Sequence, residues 1–392
     1  MGSGLKNRSP FLMAKKALSY VLGGFLGLLI IAPPINYEIP LLINSFHWLY
    51  MICAAGFFGF LLWKTNINIW LKVLSVFLFI SCFFSQAPAL SFNAYALCVF
   101  ALYLLWALKH CDFKIVVRFI EAAFWFEVFL GILQMLGKDV LLSFSNRETV
   151  FMGTMMQYMR CASVILCMAP FLLWKSKLYL IPLLVIMVFS KSSTFAVCMI
   201  SGCSAWLWFE CPELRKWIVL GGAFCIGIYA FYDFGSWQGA IAPSNGGRLI
   251  TWVAVVKTWL FDLSLATPSS IWKMNGPFNL QWFFVGHGMD TFLPLFPIYK
   301  HDLNPFPQAH NDWLQMMWET GIISFGLVSA YLISLIKKLL NNENYLLLAG
   351  LVIIGVDAFF AFPMRMTQTM FLMVAYCALC ERKLRWTRIK LR

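Results

Sequence analysis

Long apolar runs, separated by short polar connections, dominate the hydrophobic pattern of this chain. Most runs approach the roughly 20 residues that an α-helix needs to cross the hydrocarbon layer of a membrane. The pattern therefore predicts an all-α polytopic membrane protein with about twelve transmembrane helices. The predicted spans are 17–35, 46–63, 69–85, 89–108, 115–136, 154–174, 178–190, 194–209, 217–234, 321–336, 345–362 and 366–380.

One connection is much longer than the others, and it divides the chain into three regions. Residues 1–234 hold the first nine predicted spans, residues 235–320 form the long loop, and residues 321–392 hold the last three spans and a basic tail. Long loops in compact proteins usually carry function. We therefore expect the functional site in or beside residues 235–320.

The long loop has a pattern of its own. Residues 248–260 read as an amphipathic helix with Trp252, Val256 and Trp259 on one face. Several prolines predict an extended chain through 290–308. The many tryptophans and prolines suggest short helices lying across the membrane surface, with aromatic rings at the level of the lipid headgroups.

The formal net charge of +13 reflects topology. With a cytoplasmic N-terminus, most Lys and Arg residues fall in cytoplasmic segments, as the positive-inside rule requires. Both termini are then cytoplasmic and the long loop is on the outer side. A basic protein can also bind nucleic acid, but the basic tail after residue 381 reads better as an anchor at a lipid surface. The charge thus predicts membrane lipid as a partner and no nucleic acid.

A short polar stretch, from His310 to Leu314, closes the long loop. Asn311 or Asp312 is suited to cap a helix that runs to Thr320. The N-terminal end of a helix favours the neutral imidazole, which is the form that a general base requires. His310 is therefore a candidate catalytic residue, and the alternative is an interfacial histidine that only caps a helix.

Three cations stand where the topology makes positive charge rare. Lys191 and Arg248 lie on the outer side, and Arg160 falls inside an apolar span. Such residues suggest an anionic ligand, for which the fork-shaped guanidinium of arginine is well suited. For Lys191 the alternative is a solvated loop charge. For Arg160 the alternative is a structural ion pair with an intramembrane acid, namely Glu121, Glu127 or Asp357.

Motifs for metals and nucleotides are missing from the sequence. It has no Asp-x-Asp pair, no phosphate-binding P-loop and no histidine pair spaced for zinc, and Gly286-His287-Gly288 reads as a turn. Cys377 and Cys380 have CxxC spacing without a second pair and behave as small hydrophobic residues. We expect no metal and no cofactor.

Several segments in the outer part of the chain, taken in order, carry a family resemblance. They are Gly247-Arg248-Leu249-Ile250-Thr251-Trp252, Val285-Gly286-His287-Gly288-Met289-Asp290-Thr291-Phe292, Ala309-His310-Asn311-Asp312-Trp313-Leu314-Gln315, Glu319-Thr320-Gly321-Ile322-Ile323-Ser324-Phe325, and Asp357 followed by Phe362-Pro363. In order and spacing they resemble the O-antigen ligase and polymerase superfamily of bacterial inner-membrane glycan transferases. The long loop between the ninth and tenth spans is similar too.

The resemblance implies a metal-independent glycosyltransferase with an active site on the periplasmic face. It would move a glycan from undecaprenyl diphosphate to a hydroxyl of lipid A-core, and direct displacement would invert the anomeric configuration. By the same resemblance His310 matches the essential histidine, Arg248 matches the loop arginine, and Gln157 fits the sixth span. Lys191 stands where the family usually has arginine, so its charge is kept but the fork is lost.

Arg160, Lys191 and Arg248 would then bind the diphosphate, with Asn311, Asp357 and Gln157 in supporting positions. The leading interpretation is an O-antigen ligase. A polymerase that extends the lipid-linked glycan needs the same donor site and differs only in the acceptor. A protein O-oligosaccharyltransferase is a third enzyme option. A transporter would suit the charges inside spans, but no inverted repeat is visible and the long loop argues against it.

Overall fold

The computed structural model describes residues 10–31, 62–136, 158–190, 192–222, 245–261, 277–300 and 309–382. Within these ranges the regular elements are helices, and the β-type pairing is a single antiparallel bridge between Phe261 and Phe278. The predicted all-α class is therefore confirmed for this part of the chain.

The helices fall into two groups, before and after residue 245. The first group is α1 (Pro10–Ile31), α2 (Ile69–Phe83), α3 (Pro88–His110), α4 (Phe113–Met135), α5 (Tyr158–Lys175), α6 (Leu180–Phe189) and α7 (Ser193–Glu210). The second group is α8 (Asn245–Leu260), α9 (Leu280–Val285), α10 (Phe292–Lys300), α11 (Asp312–Asn341), α12 (Tyr345–Phe360) and α13 (Thr367–Cys380). Short 3₁₀ turns occupy Lys177–Tyr179, Pro212–Leu214 and Pro363–Arg365.

Most of the predicted apolar runs coincide with these helices, and local capping explains where several begin. The side chains of Asn68, Asp112 and Ser192 accept hydrogen bonds from the first turns of α2, α4 and α7. Of the described helices, α3 and α11 are long and apolar enough to cross a membrane by length and composition. The predicted spans 46–63 and 217–234 lie largely outside the described residues.

The main hydrophobic core lies between α1 to α7 and α11 to α13. Its closest pairings join α7 with α12 and α1 with α4. The outer faces of these helices keep large apolar side chains exposed, including Leu28, Phe129 and Val188. A water-soluble protein would rarely leave so many large apolar side chains exposed on its helices, whereas lipid can cover them.

A second, smaller core belongs to the long loop. It joins α8, α10 and the first turns of α11 through Trp259, Phe296 and Trp318 with their neighbours. The expectation of surface aromatic rings is thus wrong for Trp259 and Trp318, which are buried. The predicted face of α8 is also only partly right, because Trp259 is buried while Trp252 and Val256 are half-buried.

The stretch expected to be extended is partly helical. Residues 292–300 form α10, although they contain two prolines. Pro294 stands in the first turn, where the backbone N–H has no acceptor within the helix, so proline is tolerated there. The prediction of an extended chain is therefore wrong for 292–300, and residues 301–308 lie outside the described part.

Helix α11 is divided by a kink at Gly321, which has φ 71° and ψ 178°. A Cβ atom on Gly321 would stand 2.2 Å from the carbonyl oxygen of Phe284, and one on Gly286 would stand 2.4 Å from the carbonyl group of Glu319. The turn after α9 therefore packs backbone against backbone on the kink. Hydrogen bonds from His287 N to Trp318 O (3.0 Å) and from Gly288 N to Glu319 O (2.8 Å) complete the junction.

Candidate active site

His310 occupies a strained point in the backbone immediately before α11. Its φ is 49°, a left-handed value that non-glycine residues seldom adopt. Ala309 and Asn311 on either side are buried, whereas His310 is partly exposed. Asn311 is the N-cap, and its side chain accepts a hydrogen bond from Leu314 N at 3.1 Å. The predicted cap is confirmed, and it places the partly exposed His310 directly before a helix N-terminus.

Two other elements converge on this histidine. The ring of Phe362, just after α12, meets the His310 ring edge-on with centroids 5.3 Å apart. From α8, Trp252 Nε1 donates a hydrogen bond to Ala309 O at 2.8 Å. The indole of Trp252 also packs against Phe359, with centroids 5.4 Å apart. The end of α12 and the middle of α8 are thereby held around His310.

Arg248 lies in α8, one helical turn before Trp252. The backbone thus brings the loop arginine close to the segment that carries His310. The side chain of Arg248 lies outside the described part of the structure, as do Lys191 and Gln157 entirely.

A charged cluster, which we call the Arg365 clamp, stands next to His310 and consists of Asp312, Glu319 and Arg365. Arg365 Nη1 lies 2.8 Å from Glu319 Oε2, and Arg365 Nε lies 3.7 Å from Asp312 Oδ1. Met364 N donates to Asp312 Oδ2 at 2.6 Å. Both carboxylates are buried, and the arginine is partly exposed. The clamp therefore ties the turn after α12 to both ends of the first segment of α11.

Glu319 has two further contacts that extend the cluster. Its Oε1 accepts from Gln315 Nε2 at 3.2 Å, and its Oε2 accepts from Asp290 N at 3.2 Å. Desolvation and the nearby charge of Glu319 raise the pKa of Asp290 to about 6, against the opposing effect of Arg365. The Asp290 side chain is also exposed, so solvent screens part of this effect.

The charge on Arg365 is itself stabilised by the cluster. Burial alone would lower the pKa of its guanidinium, but the charges of Glu319 and Asp312 outweigh burial and raise that pKa above its ordinary value. Arg365 is thus a permanent cation between two buried carboxylates.

Asp357 has a different partner from those expected. Its Oδ1 accepts a hydrogen bond from Ser163 Oγ at 3.1 Å, and its Oδ2 is buried without a hydrogen-bond partner. Within the described residues Asp357 forms no ion pair, either with Arg160 or with Arg365. The Ser163 bond instead fastens α12 to α5, three residues along from Arg160.

Arg160 has no ion pair with any residue in the described ranges. Its Nε is buried without a hydrogen-bond partner, while the side chain as a whole is partly exposed. Glu121, one of the acids considered for it, instead accepts from Lys175 and Tyr179. Glu121 is therefore excluded as the acid that would pair with Arg160 in the structural alternative.

His287 is a second histidine in the loop, and its role is structural. Its ring is buried between Trp282 and Trp318, with centroid separations of 4.2 and 4.0 Å. Its Nε2 lies 3.0 Å from Thr258 O and its Nδ1 lies 3.2 Å from Gln86 Oε1. It thus joins the end of α8 to the connection between α2 and α3.

Sequence reasoning assigned no role to Glu319 and considered Asp312 only as a possible helix cap, although both lie in quoted motifs. The available signal was an acidic residue directly after the N-cap and a second one seven residues later, in the same helix. Its pairing with Arg365 was not visible, because the partners are far apart in the chain. Among the described residues no group of three or more His, Cys, Asp or Glu side chains is placed to hold a metal ion.

The sequence matches no protein-family model, and no curated protein matches it at a significant level.

Proposed function

We propose that this protein is an O-antigen ligase that transfers a glycan from undecaprenyl diphosphate to a hydroxyl of lipid A-core. The observation that carries the proposal is the position of His310. It is held in a left-handed conformation between two buried residues, and its partly exposed side chain lies beside the helix that contains Arg248. Strain of this kind persists where the surrounding structure imposes it, and it concentrates at functional sites.

The proposed setting is the bacterial inner membrane, with about twelve spans, both termini in the cytoplasm and residues 235–320 facing the periplasm. Two helices of membrane-spanning length and composition support it, as do the exposed apolar faces of the helices around the main core. The alternation of basic residues along the sequence supports the orientation.

In the proposed reaction His310 takes the proton from the acceptor hydroxyl, or orients that hydroxyl, as it attacks the anomeric carbon of the donor sugar. The bond from that carbon to the diphosphate oxygen breaks, and undecaprenyl diphosphate leaves. Because diphosphate is already a good leaving group, the protein chiefly positions the reactants and stabilises the departing charge. Arg160, Lys191 and Arg248 supply that positive charge.

The remaining candidates have supporting positions in this proposal. Asn311 caps α11 and thereby sets the backbone at His310. Asp357, through Ser163, holds the part of α5 that carries Arg160. Gln157 precedes that helix by one residue. A one-step displacement inverts the anomeric centre, so linkage analysis of donor and product checks the mechanism, and retention would contradict it.

Deleting the gene and separating the lipopolysaccharide on a gel tests the function. For a ligase we expect loss of all O-chains with accumulation of lipid-linked polymer. Lipopolysaccharide capped by a single repeat would instead identify a polymerase. Unchanged lipopolysaccharide would contradict both.

Complementation with His310→Ala tests the residue. We expect normal insertion and no transfer, since alanine can neither accept the proton of the acceptor hydroxyl nor orient that hydroxyl. His110→Ala is the matched control, because His110 is an exposed histidine at the end of α3. Transfer by His310→Ala equal to that by His110→Ala would contradict an essential histidine.

A further inference from the structure

Three contacts join the turn after α12 to the segment that carries His310. The ring of Phe362 touches the His310 ring, Met364 N donates to Asp312, and Arg365 pairs with Asp312 and Glu319. All three come from four consecutive residues. The position of the His310 ring therefore depends on where this turn is held.

Arg365 is the member of the turn that makes a charged contact with both ends of the first segment of α11. Without its positive charge, Asp312 and Glu319 would be two buried carboxylates with no cation between them. Buried charges of one sign repel strongly in a medium of low polarity. Removing Arg365 therefore favours displacement of the turn or of the start of α11.

The conformation of His310 makes it sensitive to such a displacement. A non-glycine residue keeps a positive φ only while its neighbours hold it there. Those neighbours are Ala309, whose carbonyl accepts from Trp252, Asn311 as the N-cap, and Asp312 in the clamp. Loosening Asp312 removes one of these restraints next to the histidine.

Resting on the proposed function, we infer that Arg365 is a positioning residue for glycan transfer. It holds the Phe362–Arg365 turn and the N-terminus of α11 as one unit, so that the His310 ring meets the acceptor hydroxyl in a reactive geometry. Its guanidinium binds protein carboxylates, which separates its role from that of the cations proposed to bind the diphosphate. Arg365 is thus expected to affect the rate of transfer and not the affinity for the donor.

The test compares Arg365→Gln with Arg365→Lys in purified protein, with undecaprenyl-diphosphate-linked O-antigen as donor and lipid A-core as acceptor. Rates are normalised to the amount of folded protein. We expect Arg365→Gln to lower kcat about 100-fold with little change in the KM for the donor, as a misplacement of about 1 Å can do. Arg365→Lys keeps the charge but not the fork, so it should recover part of kcat.

Arg215→Gln is the matched control, because Arg215 is exposed and donates to the Trp208 carbonyl. An unchanged kcat for Arg365→Gln would overturn the proposal, and so would a loss confined to donor KM, which would indicate diphosphate binding. If Arg365→Gln does not fold, Glu319→Gln breaks the same pair with little change of shape, and its kcat must fall in the same way. Activity retained by His310→Ala would overturn the proposed function instead, so the two failures are distinguishable.

Discussion

The imidazole of His287 lies parallel to the indole of Trp318, with ring centroids 4.0 Å apart and an angle of 12° between the planes. Trp318 belongs to the same helical segment that begins beside His310. The buried His287 therefore supports the helical segment that begins just after the partly exposed His310.

We expect His287→Ala to unfold the loop rather than to alter chemistry. The substitution leaves a cavity in a buried site. It also removes the ring nitrogen that contacts the Thr258 carbonyl, which lies in the last turn of α8, where carbonyl groups lack an N–H donor within the helix. The cost should be about 3 kcal/mol. Thermal unfolding in detergent checks this, and His310→Ala should unfold close to the wild-type temperature. Equal unfolding temperatures for His287→Ala and wild type would contradict the structural role.

The kink of α11 offers a prediction with a control in the same helix. Gly321→Ala forces a side chain into a positive φ and against the Phe284 carbonyl, so it should destabilise the protein by at least about 2 kcal/mol. Gly326→Ala meets no atom within 4 Å and should be neutral or gain up to about 1 kcal/mol. Unfolding midpoints of the two variants check the contrast. Similar midpoints would show that the close approach is not a constraint.

Arg160 is expected to act on donor binding. Replacing it by glutamine removes charge-assisted hydrogen bonds to the proposed diphosphate, each worth about 1.5–3 kcal/mol, so the KM for the donor should rise roughly 10- to 100-fold. Steady-state kinetics with the lipid-linked donor measure this. Arg215→Gln serves as the control, and an unchanged donor KM would return Arg160 to a structural role.

Asp357 and Ser163 form a pair whose two members can be separated. If Asp357 only accepts the Ser163 hydrogen bond, Asp357→Asn and Ser163→Ala should reduce transfer equally. Because Oδ2 of Asp357 is buried without a partner, we expect the carboxylate to have a second task and Asp357→Asn to be at least 10-fold worse. Transfer assays on both variants and on the double variant decide between these outcomes. Equal losses would limit Asp357 to the α5–α12 contact.

The raised pKa of Asp290 leads us to predict that the stability of the folded protein depends on pH. Its pKa is raised to about 6 in the folded protein, so the folded state prefers the protonated carboxyl. The stabilisation is complete below about pH 4, the ordinary range of an Asp carboxyl, and is lost as the pH rises through about 6. Asp290→Asn should therefore unfold like the wild type at low pH but at a higher temperature than the wild type above pH 7.

Unfolding temperatures between pH 4 and 8 check the Asp290 prediction. Glu213→Gln is the control, since Glu213 is exposed in the 3₁₀ turn Pro212–Leu214. A wild-type curve that rises with pH through 6 relative to Asp290→Asn would contradict the direction.

Much of the helical arrangement was predictable because it depends on nearby residues. Apolar runs marked α2 to α7 and α11 to α13, and the N-cap at Asn311 followed from its side chain and its position before an amphipathic run. The helix over 292–300 was missed because proline is disfavoured in helix interiors yet tolerated in a first turn. A prediction based on prolines alone is wrong for such a segment when tertiary packing favours a helix.

Some features of the candidate site were likewise predictable from the sequence, and others were not. The all-α class, the apolar composition suited to lipid, and a histidine before a capped helix at the end of the long loop could all be predicted from the sequence. The sequence did not reveal that Arg365 pairs with Asp312 and Glu319, or that His287 is enclosed by tryptophans while His310 is partly exposed. These points required the folded structure, because they depend on contacts between residues far apart in the chain. Helix propensity and capping act within a few residues, whereas burial and charge pairing arise when distant segments pack together.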